Sequence, residues 1–268
     1  MMHYGKSAGE ILDRIRVRRP VVHSITNYVV MNSTANVLLA MGASPIMANA
    51  IQEMEDIAAI SNSLVVNIGT LSEAWIEAME LACRLAVVRG KPIVLDPVGS
   101  GATKLRTDTA CGLIKSSPPT VIRGNASEIR SLSPEGGTTR GVDSIHSMED
   151  AVDAARSMAR SLGTVIAVTG ERDLVTDGDR SLIVSGGHCL MSYVTGTGCA
   201  ASVIVGAFVA EEKDAVTASA SALAFFKLAG EKAAAEAQTP GTFWIKVLDA
   251  LYSITPEELE AQAKIVEA

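Results

Sequence analysis

The first two-thirds of the chain alternates short apolar runs with longer segments of helical periodicity. Several of the short runs are nearly continuous in Val, Ile and Leu, which is typical of strands whose sheet is covered on both faces. The runs of strand length are Val21–Ile25, Ser44–Met47, Leu64–Asn67, Pro92–Leu95, Thr120–Ile122 and Thr164–Val168. We predict that they form one sheet.

Helical patterns fill the intervals between these runs. They cover Val30–Met41, Glu53–Ile60, Leu71–Arg89, Arg106–Ser116, Ala126–Leu132 and Ser147–Leu162. Strand–helix alternation predicts an α/β fold of three layers, with a mostly parallel central sheet between layers of helices. Two short segments, Leu174–Thr176 and Ser181–Val184, flank Asp177-Gly178-Asp179 and predict a hairpin.

The last third, from Gly198 onward, has an almost entirely helical pattern. Pro240-Gly241 is a predicted break, and Thr255-Pro256-Glu257-Glu258 is a predicted helix start. We interpret the glycine-rich run 136–141 as a surface loop and find no linker. A single domain over residues 1–268 is therefore expected.

One glycine-rich run, Val194–Ala200, opens directly into an apolar helical segment, Ala200–Ala210. Glycines lack a Cβ, so the backbone N–H groups of Gly196, Thr197 and Gly198 can approach a ligand closely. A helix that begins there directs unpaired N–H groups and its positive dipole end at the same point. This predicts a site for a phosphate or a developing anion, with the Cys199 thiol in its mouth. A purely structural turn is the alternative.

Composition excludes several functional classes. Hydrophobic residues make up 48% and charged residues 20% of the chain, which indicates a folded globular protein. The net charge of -7 and the 4% aromatic content argue against a nucleic-acid partner. The four cysteines and four histidines show no zinc-binding spacing.

The location of the protein is expected to be cytoplasmic. The cysteines suggest free thiols and a reducing compartment. The segment 1–19 is charged and contains no apolar signal core. Ala200–Ala210 is too short for a membrane span of roughly 20 residues. No membrane partner is expected.

Polar side chains follow the predicted strands where a parallel sheet binds its ligands. The strand-end residues are His23, Thr26, Asn27, Met47, Asn67, Asp96, Arg123, Glu128 and Thr169. Asp96 and Glu128 lie at neighbouring strand–helix junctions, and paired carboxylates suit Mg²⁺. Arg123 suits bidentate phosphate contact. The structural alternatives are a turn or helix cap for Asp96, an exposed helix position for Glu128 and a surface ion pair for Arg123.

These residues favour a nucleoside triphosphate site made of a glycine loop, a metal and an arginine. The chain lacks the Walker A pattern and the protein-kinase motifs. Phosphoryl transfer here therefore needs another architecture, in which positioning, metal charge and a helix N-terminus provide most of the catalysis.

The ordered motifs resemble the hydroxyethylthiazole kinase family of the ribokinase-like superfamily over nearly the whole chain. The matching segments are 26–30, 42–47, 67–71, 95–103, 123–129, 169–171, 194–199 and 241–243. The resemblance implies a ribokinase-like fold and a kinase that uses ATP to phosphorylate 4-methyl-5-(2-hydroxyethyl)thiazole in thiamine biosynthesis. It also implies a homotrimer with active sites between subunits.

The resemblance further implies roles for individual residues. Met47 and Gly196 are expected to contact the thiazole, with Asn27 as a further pocket residue. Arg123 and Thr169 are expected to contact ATP. Asp96 and Glu128 are implied as the acidic pair linked to Mg²⁺ and to catalysis.

Cys199 stands where the wider superfamily has the aspartate base of its G-x-G-D motif. A helix N-terminus is expected to lower the pKa of its thiol, which would allow it to accept the hydroxyl proton. Because phosphoryl transfer needs little help from a strong base, we interpret Cys199 as a contributor at the reacting hydroxyl. A small packing residue is the alternative.

Alternative hypotheses keep the fold or the site but assign a different activity. Hydroxymethylpyrimidine kinases and ADP-dependent NAD(P)H-hydrate dehydratases usually carry Asp at the position of Cys199, which disfavours both. A nucleotide sensor or structural trimer without turnover is a rival of another class.

Overall fold

The structure is a computed structural model, and it is described here for residues 4–133 and 148–268. Within these ranges one sheet has nine strands in the order β2-β1-β3-β4-β5-β6-β7-β8-β9. Strands β1 to β6 run parallel, and β7, β8 and β9 extend the sheet in antiparallel pairs. The predicted α/β class with a mostly parallel sheet is confirmed.

The predicted strands all form, with ends that are identical to the predicted ones or differ by at most two residues. The observed strands are β1 Val21–Ile25, β2 Ser44–Ile46, β3 Ser63–Asn67, β4 Ile93–Asp96, β5 Val121–Gly124, β6 Val165–Val168, β7 Asp173–Thr176, β8 Ser181–Val184 and β9 Ile265–Glu267. Strands β7 and β8 are the predicted hairpin. The short strand β9 was not predicted.

The helices also follow the predicted pattern. They are α1 Tyr4–Arg18, α2 Met31–Met41, α3 Met54–Ile60, α4 Glu73–Val88, α5 Lys104–Ser116, α6 Ala126–Ser131, α7 Met148–Leu162, α8 Thr197–Glu211, α9 Ala215–Glu236, α10 Pro240–Ser253 and α11 Pro256–Gln262. Short 3-10 helices occupy Ile51–Glu53 and Cys189–Tyr193.

Two details correct the sequence interpretation. Helix α1 is present where only a charged segment was recognised. Helix α8 begins at Thr197 rather than Ala200, because Gly196 supplies its N-cap. The break predicted at Pro240-Gly241 lies directly before these residues, between the end of α9 at Glu236 and the start of α10 at Pro240, which takes its first turn as expected for proline. The predicted loop 136–141 and residue Ser147 lie outside the described ranges.

The sheet separates two large apolar cores, and this explains the continuous apolar strands. Leu64 and Val66 of β3 pack with α4, whereas Val65 between them packs with α8. Successive side chains of a strand point to opposite faces, so both faces must be apolar when both are covered. Helices α1, α2, α8, α9, α10 and α11 contribute to one core, and α3 to α7 contribute to the other. The three-layer prediction is confirmed.

The parallel strands place their carboxyl ends at a common edge. Asn67 at the end of β3 pairs in register with Asp96 at the end of β4. Gly124 at the end of β5 pairs with Val168 at the end of β6. Helix α8 packs against the strands beside this edge. Among the described helices, none has both the length and the apolar character that a membrane span requires.

Candidate active site

Asn67 links the strand ends to the first turn of α8. Its amide Nδ2 lies 2.9 Å from Asp96 Oδ2 and 3.1 Å from Cys199 Sγ, so it donates to both groups. Its Oδ1 accepts from Asn27 Nδ2 at 2.9 Å and from the Gly69 N–H at 3.0 Å. The predicted residues Asn27, Asp96 and Cys199 therefore meet around one carboxamide.

Asp96 is completely buried at the end of β4. Its Oδ2 also accepts from the Ser202 hydroxyl at 2.8 Å and lies 3.6 Å from Arg123 Nη1. Burial raises the pKa of Asp96, while Arg123 and the two hydrogen bonds oppose that rise. Its Oδ1 is buried without a hydrogen-bond partner within the described ranges. Asp96 therefore keeps one oxygen available for a further interaction.

The Cys199 thiol differs from the prediction. Burial and the neighbouring Asp96 carboxylate raise its pKa to about 11 from the ordinary 9.0. The hydrogen bonds from Asn67 and Asn27 lower the pKa, but they do not compensate. The expected lowering by the helix N-terminus is therefore wrong, and Cys199 carries its proton at neutral pH. The site geometry makes Cys199 a hydrogen-bonding group beside the α8 N-terminus.

Gly196 has a left-handed conformation, with φ of 89°, at the N-cap of α8. A Cβ at this position would lie 2.7 Å from Val30 Cγ1, so glycine is required for both backbone angle and space. As a glycine, Gly196 provides no side chain to cap the first turn of α8. The dipole and the N–H groups at this end favour an anion, as the glycine-rich run predicts.

A cavity of about 920 Å³ lies beside this helix end. Four predicted residues line it, namely Arg123, Thr169, Thr197 and Gly198. Arg123 is buried in β5, and its Nη2 donates to Thr169 Oγ1 at 2.5 Å. A guanidinium, a hydroxyl and a helix N-terminus on one wall suit a polyphosphate.

Glu128 is held by backbone N–H groups in the first turn of α6. Its Oε2 accepts from the Asn125 N–H at 2.9 Å, which completes a capping box. Its Oε1 accepts from the Gly99 N–H at 2.9 Å. Glu128 thus ties the segment after β4 to the segment after β5, and its charge adds to the rise of the Asp96 pKa.

The donor set around Asp96 and Glu128 is compatible with Mg²⁺. Both contribute carboxylate oxygens, and Asp96 Oδ1 is buried and unpaired. No group of three or more His, Cys, Asp or Glu side chains converges as a metal cage in the described part of the chain. Mg²⁺ is usually bound by one or two carboxylates together with water and phosphate oxygens, so two carboxylates suffice.

Met47 is not part of the hydrogen-bonded group around Asn67. It directly follows β2, is half-buried and packs against the core that contains α2 and α8. The cavity lining formed by described residues does not include it. His23 fixes the adjacent backbone, since its Nε2 lies 2.8 Å from the carbonyl oxygen of Ala48. Burial lowers the pKa of His23, and the neutral ring with its proton on Nε2 satisfies this contact.

Several polar residues of the site were missed as functional candidates. Asn67 was noted only as a strand-end residue. Ser202 lies three positions after Cys199, a spacing that places both on one helical face. Lys227 interrupts an apolar stretch of α9 and is a lining residue of the cavity. A buried polar residue in an apolar helix was the available signal.

Comparisons with known proteins place the chain among thiazole kinases. A match to the hydroxyethylthiazole kinase family covers residues 12–257. A hydroxyethylthiazole kinase from Desulfotalea psychrophila is 53% identical over 100% of this chain and 98% of its own length. One from Pyrococcus furiosus is 51% identical over 97% of both chains.

Solved structures agree with the sequence comparisons. The hydroxyethylthiazole kinase protein from Pyrococcus horikoshii OT3 has a TM-score of 0.90 and 44% identity, covering 98% of this chain and 99% of its own. A Staphylococcus aureus pyridoxal kinase, solved with AMP-PCP and pyridoxal, has a TM-score of 0.62 and 16% identity, covering 93% and 99%. The second likeness concerns the fold alone, and together the two structures confirm the predicted ribokinase-like fold.

Proposed function

The chain belongs to the hydroxyethylthiazole kinase family, and from that premise we propose how its site phosphorylates the hydroxyl of 4-methyl-5-(2-hydroxyethyl)thiazole. The protein is a kinase of thiamine salvage, and ATP is its co-substrate. One observation carries the assignment of the site. The Asp96–Asn67–Cys199 group adjoins both the N-terminus of α8 and the cavity lined by Arg123.

ATP binds in the cavity in this proposal. Arg123 and Thr169 contact its phosphates, and the backbone of Gly196, Thr197 and Gly198 forms an anion hole for the transferred group. These donors are fixed before the substrates arrive, so they stabilise developing charge without reorganisation. The loose transition state of phosphoryl transfer depends mainly on such positioning.

The thiazole binds on the side of Gly196, Asn27 and Met47. Cys199, hydrogen-bonded to Asn67 and Asn27, orients the hydroxyl toward the γ-phosphorus. The hydroxyl oxygen forms the new ester bond to the γ-phosphorus as the bond between that phosphorus and the ADP oxygen breaks. The hydroxyl proton passes to an oxygen of the transferred phosphoryl group, from which water removes it, and ADP leaves with the electrons of the broken bond. Because the pKa of Cys199 is raised, its thiol acts first as a positioning group and not as a thiolate base.

Asp96 and Glu128 would hold Mg²⁺, which neutralises phosphate charge when bound. The unpaired Oδ1 of Asp96 supports this assignment. Asp96 also maintains the orientation of Arg123 through their ion pair, and Glu128 keeps the Gly99 segment in place. We assign these roles to a single kinase domain over residues 1–268, and the one sheet formed by the described residues supports a single domain. A cytoplasmic location is part of the same proposal, and the free cysteines support a reducing compartment.

A homotrimer with shared sites is part of the proposal. Apolar side chains beside the site are exposed, namely Tyr28 (69%), Val29 (65%) and Tyr193 (72%). Tyr28 and Val29 directly follow Asn27, and Tyr193 precedes the glycine-rich run. Exposed apolar surface next to binding residues is typical of a surface that another subunit covers.

Light scattering tests the trimer. The unmodified protein should have three times the chain mass, and Val29→Asp should lower both this mass and thiazole phosphorylation. Val88→Asp, on an exposed valine at the end of α4, is the matched control and should change neither. A monomer with full activity would contradict the shared site.

Two substitutions test the assigned residues directly. Arg123→Ala should weaken ATP binding, and Asp96→Asn should lower turnover. Thermal unfolding should show that both variants remain folded. Arg84→Ala removes a surface arginine whose partner Glu80 is 3.9 Å away, and it should have no effect. Unaltered kinetics in Arg123→Ala or Asp96→Asn would remove that residue from the site.

A further inference from the structure

Lys227 is a buried lysine in the middle of α9. Its exposed fraction is 7%, and its neighbours Phe226 and Leu228 are buried apolar residues. Lysine is almost never buried at this level without partners, because desolvation of its ammonium group is costly. Lys227 therefore has a structural or functional role that is not among those in the catalytic proposal.

The Lys227 ammonium has acceptors on all sides. Nζ donates to the carbonyl oxygens of Glu171 at 3.0 Å, Gly170 at 3.2 Å and Gly186 at 3.4 Å. It also lies 3.3 Å from Oδ1 of Asp173, which is 3% exposed. An ammonium has three donor hydrogens, and four acceptors inside the protein already surround it.

These acceptors belong to two separate segments of the chain, and Lys227 of α9 bonds to both. Gly170 and Glu171 lie in the turn between β6 and β7, and Gly186 follows β8. Asp173 strengthens the first segment, since its Oδ1 accepts from the Gly170 N–H at 3.0 Å. The Lys227–Asp173 pair therefore fastens both segments to the same point of α9.

The fastened segments form part of the wall of the 920 Å³ cavity. Gly170, Asp173, Gly186 and Lys227 all line it. The packing at the second segment is close, because a Cβ at Gly187 would lie 3.3 Å from Lys227 Cγ and 3.3 Å from Met191 Sδ. A shift of Lys227 would therefore move the wall of the cavity.

We infer that Lys227, paired with Asp173, is a positioning residue that sets nucleotide affinity by fixing the cavity wall, without bonding to the nucleotide. The inference rests on the proposed function, in which this cavity holds ATP. Since the ammonium hydrogens have acceptors within the protein, the phosphates depend on Arg123 and α8. The affinity for the nucleoside part should then depend on Lys227 as much as the affinity for the phosphates.

Calorimetric titration with ADP and with adenosine distinguishes a role in fixing the cavity wall from a direct contact with phosphate. Lys227→Met and Asp173→Asn should each raise the dissociation constants of ADP and of adenosine by about tenfold. This is the effect expected from the loss of one hydrogen bond to a charged group. The KM for the thiazole should not change. Lys232→Met is the control, because Lys232 lies on the same helix and pairs with Glu258 but does not line the cavity.

The paired variants distinguish this role from a direct phosphate contact. If Lys227 bound phosphate, Lys227→Met would weaken ADP alone, and Asp173→Asn would free the ammonium and tighten ADP. Either result, or unchanged affinity for both ligands, would overturn the inference. The double variant Lys227→Met/Asp173→Asn leaves no isolated buried charge. If Lys227→Met fails to fold, the affinities of the double variant for ADP and adenosine test the role of the pair in fixing the cavity wall.

Failure of the inference is separate from failure of the proposed function. The titrations measure ligand affinity without the thiazole, whereas the proposed function requires thiazole-dependent ADP release by the unmodified protein. An active unmodified kinase whose variants bind adenosine normally would reject only the role of Lys227.

Discussion

At the scale of single residues, the chemistry of Cys199 depends on what surrounds it. The thiol lies at a helix N-terminus, where its anion would gain stability. It also lies in a buried position near the Asp96 carboxylate, and the net effect raises its pKa to about 11. The effects of burial and of the Asp96 carboxylate exceed the lowering by Arg123 and by the hydrogen bonds from Asn67 and Asn27, so the thiol is neutral at physiological pH.

Cys199→Asp should retain or increase turnover. The buried Asp96 nearby should raise the pKa of the new carboxylate toward neutrality, which is where a general base works best. Steady-state ADP release with the thiazole measures the effect, and Cys111→Asp on exposed α5 surface is the matched control. Complete loss of turnover in a folded Cys199→Asp variant would contradict the placement of position 199 at the reacting hydroxyl.

The sequence indicates which polar residues share the sheet edge, because parallel strands end together. Asp96 and Arg123 lie at the carboxyl ends of the adjacent strands β4 and β5, and their ion pair is a direct result. The raised pKa of Cys199 could not be predicted, since it depends on burial and on a carboxylate 103 positions earlier in the chain. The double donation by Asn67 likewise depends on the approach of α8 to β3 and β4.

At the scale of elements, the start of α8 is defined by the backbone of Gly196. Its φ of 89° ends the preceding segment and directs the helix N-terminus toward the cavity. The nearby Val30, just before α2, leaves no space for a side chain. The two elements therefore fix each other at the point where substrate is expected.

Gly196→Ala should lower both stability and activity. A left-handed alanine costs roughly 1–2 kcal/mol, and its Cβ would also displace Val30. Urea unfolding and the KM for the thiazole measure the two effects. Gly112→Ala in α5 is the control, because that glycine has open space and a helical alanine is stabilising by about 1 kcal/mol. Equal stability of Gly196→Ala and the unmodified protein would contradict this account.

The elements missed from the sequence illustrate two different causes. Helix α1 carries Ala8, Ile11, Leu12 and Ile15 at helical spacing, and all four are buried, so the signal was present. Strand β9 has three residues and exists through its pairing with β8. Such a short strand has no periodicity of its own, and its tertiary partner decides its structure.

At the scale of the whole molecule, the sheet divides the interior into two cores, and a thiol is enclosed in one of them. Cys83 of α4 is 2% exposed, and burial raises its pKa from the ordinary 9.0 to about 12. This core lies on the sheet face opposite α8. Cys83 therefore affects stability without contact with Cys199.

The fold should lose stability in alkaline solution through Cys83. Below pH 9 the thiol is protonated in both states, and its contribution is complete. Between pH 9 and about 12 the unfolded chain loses the proton and the folded chain keeps it, so the free energy of unfolding falls by about 1.4 kcal/mol per pH unit. Urea unfolding of Cys83→Ala should show a shallower decline over this range.

Cys189→Ala, which changes an exposed cysteine, is the matched control and should follow the unmodified protein. Equal pH dependence in Cys83→Ala and the unmodified protein would show that this buried thiol does not contribute.

The most direct measurement for the whole account is a coupled ADP-release assay with ATP and Mg²⁺. The acceptor is 4-methyl-5-(2-hydroxyethyl)thiazole, and hydroxymethylpyrimidine is tested in parallel. The account predicts ADP release that depends on the thiazole and is absent with the pyrimidine. Folded protein that binds ATP but releases no ADP with the thiazole would contradict it and favour a nucleotide sensor.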